Sequence, residues 1–223
     1  MLTLSEKLLL LGLHDEKGHV VMSASVALPY GLAGALLLEL YLDNRIDIVD
    51  KKVTLQDDKK TNNDILDEVL TLIAQSPKLR TTQYWLQTIQ SKVADIQQRL
   101  TDQLVEKQVL SEKEHRFMWV INYNRYPTQN TQPESDIRTR MKQVVLQDAE
   151  PTEEEVALLS LVLACELISE VFDKADRTIA KERIKVLAKG QAISKTVAQT
   201  VDEIMVALIV IFTATTVSIT VSA

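Results

Sequence analysis

The sequence predicts a mainly α-helical protein: a single globular domain over residues 1–223, organised around a buried central helix and carrying small β-hairpins. Three observations lead there. Apolar residues recur at helical spacing through most of the chain. Two capping-box patterns, Thr3 with Glu6 and Thr152 with Glu155, stand ahead of apolar runs. Short stretches of alternating or aromatic and β-branched residues suit hairpins. With 46% hydrophobic residues the chain can build a sizeable core, which excludes a disordered protein.

Thr3 and Glu6 precede Leu8, Leu9, Leu10 and Leu11, so the chain opens with a short helix. Asp15-Glu16-Lys17-Gly18 is a turn. Residues 20–26 form a strand or an irregular loop, ended by Pro29-Tyr30-Gly31. From Leu32 the chain is apolar on nearly every side until Asp43-Asn44, which marks a buried helix. Polar and apolar residues alternate across 45–53 as in a small hairpin, and 57–63 is a polar turn with solvated charges. Ile65, Leu66, Val69, Leu72 and Ile73 define a helix that stops before Pro77; Trp85, Ile89, Val93, Ile96, Leu100 and Leu104 define a longer one.

After Pro133 a helix from about Ser135 turns Ile137, Met141, Val144 and Val145 inward, leaving Arg138, Arg140 and Lys142 for solvent or a ligand. The second capping box opens a helix over 156–172 with so few polar positions that it should run through the centre of the fold, with Cys165 as a small core filler within it. A polar helix over 175–187, a break near Gly190 and a final helix from about Ser194 complete the chain. Residues 204–223 carry no charge and match a bilayer in length. Thr213, Thr215, Thr216, Ser218, Thr220 and Ser222 dilute that stretch, and no Lys or Arg follows it, so 204–212 reads as a core helix, with a tail anchor as the alternative.

The segment from Arg116 to Pro127 is the densest aromatic stretch in a chain with only 4% aromatic residues. Phe117, Met118, Trp119, Val120, Ile121, Tyr123 and Tyr126, with turn-prone Asn122 and Asn124 among them, suit a hairpin whose tip or edge meets a lipid headgroup layer or a partner subunit; the ordinary alternative is a hairpin packed on its own domain. Residues 113–142 hold six cations (Lys113, Arg116, Arg125, Arg138, Arg140, Lys142) against three anions (Glu114, Glu134, Asp136). That local excess makes Arg116, Arg125, Arg138, Arg140 and Lys142 candidates for anionic headgroups. The net charge of −6 excludes a general nucleic-acid binder.

The residues suggest no cofactor, no metal site and no catalytic group. His14, His19 and His115 are too few and ill-spaced for a metal, and His14 and His19 read as a surface cluster. Gly31-x-x-Gly34 lacks the third glycine and the acid of a dinucleotide site, so close packing explains it better. Glu153-Glu154-Glu155 favour the helix dipole. Nothing pairs a nucleophile with a base, so an enzyme ranks last. One cysteine and no opening signal segment point to a reducing, cytoplasmic setting.

Several stretches together resemble the Golgi phosphoprotein 3 family. They are Leu2-Thr3-Leu4 with Glu6, Asp15-x-Lys17-Gly18, Gly31-Leu32-Ala33-Gly34-Ala35-Leu36-Leu37-Leu38-Glu39-Leu40, Arg45-Ile46, Leu66-Asp67-Glu68-Val69-Leu70, Arg99-Leu100, Leu104-Val105-Glu106-Lys107-x-Val109-Leu110 and the hairpin closing at Pro127. The resemblance covers nearly the whole chain. It implies a mostly helical cytosolic domain, peripherally membrane-bound, that recognises phosphatidylinositol 4-phosphate and, in eukaryotes, acts as an adaptor retaining glycosyltransferases as protein clients. It also implies membrane insertion and self-association through the hairpin. The lipid pocket of the family uses a Trp in the loop before the glycine-leucine motif, an Arg inside it, and two Arg ahead of Arg99-Leu100. Here the loop is Met22-Ser23-Ala24-Ser25, the motif position is Ala33, and the paired positions are Ala94 and Gln97. A charged hydrogen bond to phosphate contributes about 1.5–3 kcal/mol, so losing several should abolish specific recognition. The long polar N-terminal extension of eukaryotic members is also missing, as expected of a divergent, bacterial-type relative. The expected function is thus a peripheral adaptor that binds anionic lipid in general; the alternative is a soluble homo-oligomeric scaffold assembled through the aromatic hairpin.

Overall fold

The computed structural model describes residues 1–14, 19–111, 113–117, 121–190 and 193–221, with backbone alone for 113–117, 121–125 and 214–221. It is mainly α-helical with two small antiparallel sheets, as the sequence predicts. Helix α1 (Leu4–Gly12) opens on a capping box in which the Thr3 hydroxyl accepts from the Glu6 amide and the Glu6 carboxylate accepts from the Thr3 amide. The loop after it forms a short 3₁₀ turn, Met22–Ala24, in place of a strand.

Helix α2 (Leu28–Leu42) starts four residues earlier than its apolar run, because Pro29 sits in its first turn, where a missing N–H costs nothing. It is buried without interruption across 31–40 and packs against α1, α4 (Thr82–Lys92), α7 (Glu153–Ala164) and α10 (Lys195–Val221). Gly31 and Gly34 permit those approaches. A Cβ on Gly31 would lie 2.2 Å from the Cys165 Sγ, and one on Gly34 would press on Ile204, Leu161 and Leu208.

Strands β1 (Ile46–Val49) and β2 (Lys52–Leu55) form the expected hairpin, closed by Asp50 and Lys51, both with positive φ. A third strand, β3 (Arg80–Thr81), pairs with β2; two residues are too short to leave a pattern in the sequence. Helix α3 (Asp64–Ala74) lies between them in the chain, N-capped by Asn63.

Two expected long helices are each broken. The run 85–104 is α4 followed by α5 (Ile96–Glu106), separated at Asp95, whose φ is 51°. The central helix over 156–172 is α7 followed by α8 (Ile168–Val171), separated by Cys165, Glu166 and Leu167, with Glu166 at φ 60°. Both breaks place a charged residue in solvent while the apolar residues beside it, Val93 and Ile96 or Cys165 and Leu167, stay buried. Cys165 is therefore the C-cap of α7 and not a mid-helix residue, although it is fully buried as a core filler should be. The centre of the fold is shared by α2 and α7.

Helix α6 (Gln132–Leu146) begins three residues earlier than expected, again with Pro133 in its first turn. Helix α9 (Arg177–Ala188) and the break at Gly190, with φ 90°, follow. In α10, Ile204, Leu208 and Ile211 are buried, whereas Val206, Ile209 and Val210 are 43–48% exposed. Only one side of the 204–212 run is core. Residues 195–213 are long and apolar enough to cross a bilayer by length and composition.

Candidate functional site

The aromatic segment is a two-stranded antiparallel ribbon, β4 (Lys113–Phe117) and β5 (Ile121–Arg125). Met118, Trp119 and Val120, which connect the strands in sequence, lie outside the described residues. Asn122 and Asn124 do not form the turn; they are strand residues paired with Arg116 and Glu114, because the register sets Phe117 opposite Ile121. His115 stands opposite Tyr123 and Lys113 opposite Arg125. Strand alternation puts the Phe117, Ile121, Tyr123 and Arg125 positions on one face and Arg116 on the other. Tyr126 anchors the base of the ribbon to α5: its hydroxyl accepts a hydrogen bond of 2.8 Å from the Gln98 amide.

Three further candidates share α6 but serve three different partners. Arg138 pairs with Glu134 one turn back and donates to the Glu170 carbonyl at 2.5 Å. Arg140 clamps Glu155 with Nε–Oε1 2.8 Å and Nη2–Oε2 3.1 Å, and also donates to the Glu150 carbonyl at 2.7 Å. Burial raises the Glu155 carboxyl, but the hydrogen bonds from Arg140 and the Thr152 amide outweigh it and hold the group below its ordinary value. Lys142 meets the exposed Asp173 at 3.0 Å. These cations tie α6 to α7, to α8 and to the α8–α9 connection, so an anion reaching them must displace a carboxylate. The register and these pairings do not gather the five basic candidates into one cluster: Arg116 and Arg125 fall on opposite faces of the ribbon, and the α6 cations point to separate partners.

Beside the α4–α5 break lies a cleft of about 200 Å³, lined by Pro29, Leu32, Gln90, Val93, Asp95, Ile96 and Gln97; of the positions that the resemblance ties to lipid recognition, Gln97 belongs to that lining. Its lining carries one charge, the acidic Asp95. Ala33 is fully buried, while Ala94 and Gln97 are exposed. In the preceding loop Met22 is 91% exposed.

A second, larger cleft of about 960 Å³ lies at the other end of α2 and was not visible in the sequence. Glu39, which the apolar pattern shows only as one more residue of a buried helix, is 9% exposed there and accepts from the Ser5 amide at 2.6 Å through Oε1, with Oε2 unpartnered. Burial pushes its carboxyl above the ordinary 4.5. Glu6 beside it is fully buried and binds the Lys107 Nζ at 2.5 and 2.7 Å. The sequence signals for Glu6, a capping box and a place in the first stretch of the resemblance, show a helix start without showing burial.

A profile of the Golgi phosphoprotein 3 (GPP34) family matches residues 4–204. Vacuolar protein sorting-associated protein 74 of Eremothecium gossypii is 28% identical over 166 residues, covering 65% of this chain and 49% of that protein. The chain thus spans about half the length of this curated relative. The helical architecture, the glycine-leucine helix and the near-complete match together establish that the chain belongs to the Golgi phosphoprotein 3 family.

Proposed function

We propose that the protein is a non-enzymatic peripheral membrane adaptor, cytoplasmic, that docks on anionic bilayers through the aromatic ribbon and its basic residues and holds a protein client there. The small cleft beside the α4–α5 break carries this reading. In a family whose resemblance implies phosphoinositide recognition, that cleft presents Gln90, Gln97 and Asp95 and no cation. A phosphate there would meet a carboxylate, so attraction to lipid falls to general charge and apolar insertion. Phe117, Met118, Trp119, Val120, Ile121, Tyr123 and Tyr126 supply the apolar part, and Arg116 and Arg125 are the basic residues nearest to it in the chain. Lys142 exchanges Asp173 for a headgroup at little cost, since an exposed pair contributes about 0–1 kcal/mol and a basic residue gains about 1 kcal/mol at an anionic surface. Arg138, held by Glu134 and the Glu170 carbonyl, and Arg140, held by Glu155 and the Glu150 carbonyl, act through their field.

Co-sedimentation with neutral, anionic and phosphatidylinositol 4-phosphate vesicles, at low and physiological salt, tests the reading. Binding to every anionic vesicle, weakened by salt and lost in F117S/W119S/Y123S, is expected. Selectivity for the phosphoinositide would sink the general-charge mechanism. The exposed stripe Val206, Ile209 and Val210 on α10 favours a second reading, a soluble homo-oligomer. In that case no vesicle binds, and V206S/I209S/V210S breaks assembly in sedimentation equilibrium while the ribbon variant leaves it intact.

A further inference from the structure

We propose that the carboxyl-terminal part of α10 is a second bilayer-inserting element, entering the acyl-chain layer of one leaflet beside the aromatic ribbon. It rests on the adaptor reading above for what brings this end of the molecule to a membrane. Position carries the first half of the argument. Ile204 and Leu208 border Gly34, whereas Phe212 meets Tyr30 edge-on with ring centroids 6.1 Å apart. Later residues of α10 thus meet earlier residues of α2, and the two helices run in opposite directions. Helix α2 begins at Leu28, within a turn of Tyr30, while α10 continues to Val221. At 1.5 Å per residue that continuation adds about 13 Å beyond Phe212. Helix α10 therefore outruns the helix it packs on.

The same end of α2 holds Pro29 and Leu32 in the lining of the small cleft. Gln98, next in sequence to Gln97 of that lining, donates to the Tyr126 hydroxyl at the base of the ribbon. The loop leading into α2 exposes Met22 and Val26, at 91% and 59%. Ribbon base, apolar loop and the far part of α10 share one end of the molecule, so a bilayer that meets the ribbon lies next to α10.

Composition carries the second half. No charged residue occurs from Ile204 to Ala223, and Val206, Ile209 and Val210 already face outward on the packed part of the helix. A helix exposed to water normally carries a charged face. The added 13 Å is close to half of a hydrocarbon core of about 30 Å, which is one leaflet. Hydroxyl groups do not oppose insertion. Thr213 Oγ1 donates to the Ile209 and Val210 carbonyls at 3.0 and 3.1 Å, so its polar atom is satisfied within the helix. Thr215, Thr216, Ser218 and Thr220 can close the same bond where no water is present. The family profile matches residues 4–204, so this run is a feature of the chain that the family match does not account for.

The experiment places the fluorophore NBD on V217C or on V120C in the full chain; Cys165 is fully buried and is spared by the label. Each protein is mixed with phosphatidylcholine–phosphatidylserine vesicles with and without bromine on the acyl chains. Quenching by brominated chains at both positions is expected. Unlabelled V217D, which sets a charge in the inserted run, should bind these vesicles about tenfold or more weakly. If V217D does not fold, the quenching at 217 decides. Quenching at 120 alone would overturn the proposal and leave the ribbon reading standing. Quenching at 217 alone would support insertion of α10 and sink the part given to the ribbon. A probe at 217 that lipid does not quench, but whose emission shifts to the blue with rising protein concentration in vesicle-free solution, would assign this face to a second copy and overturn the proposal. No quenching at either position would overturn both readings.

Discussion

Glu39 puts an ionisable oxygen where the helix pattern would accept a leucine, and its pH behaviour follows from that. Burial raises its folded carboxyl above the ordinary 4.5, with the neighbouring Glu6 adding to the rise and the Ser5 amide opposing it. A raised carboxyl stabilises the fold below pH 4.5, where it is protonated in both states, and that contribution is lost as pH rises through the folded value. E39Q should therefore melt at a higher temperature than wild type at pH 7, with the advantage shrinking on acidification toward pH 4. A pH series of thermal melts checks this; an advantage that grew on acidification would refute the burial argument. Gly31 makes a second residue-scale case. Its added Cβ would meet the Cys165 Sγ at 2.2 Å, so G31A should cost about 1–3 kcal/mol in urea unfolding. C165A removes that sulfur and should recover much of the loss in the double variant. Burial also pushes the Cys165 thiol up to about 12, which keeps the native sulfur unreactive. None of this was legible in the sequence, because Ser5 approaches Glu39 and Cys165 approaches Gly31 across long chain separations. The capping boxes at Thr3 and Thr152 were legible because both partners lie three residues apart.

Helix starts marked by a capping box were therefore easier to read than breaks within a continuous apolar run. The breaks at Asp95 and Glu166 use left-handed backbone with no glycine or proline beside them, and the apolar spacing continues through both, so each pair looked like one long helix. Asp95 has no side-chain cap hydrogen bond to offset its φ of 51°. D95G should raise stability by a few tenths to about 1 kcal/mol, since glycine enters that region without a Cβ penalty. The same change removes the one charge lining the small cleft, so anionic vesicle binding should strengthen in parallel. Denaturant unfolding and vesicle titration on one preparation test both; a less stable D95G would mean that Asp95 holds the break by contacts other than its backbone. The α6 cations show the opposite failure. Their basic character was plain in the sequence, but Glu155 and Asp173, which hold Arg140 and Lys142, come from later elements.

At the scale of the molecule, the mainly α architecture and the family were legible because they rest on pattern spread over the whole chain. The two ends of α2 were not, since a helix buried on every side shows nothing of what its termini face. One end meets a small cleft without a cation, the other a large acidic one. Thr3 and Leu4 form part of the rim of the acidic cleft, while Met1 is fully exposed beside them. Any peptide fused ahead of Met1 is consequently tethered at the mouth of that cleft, at the high local concentration that a short tether imposes.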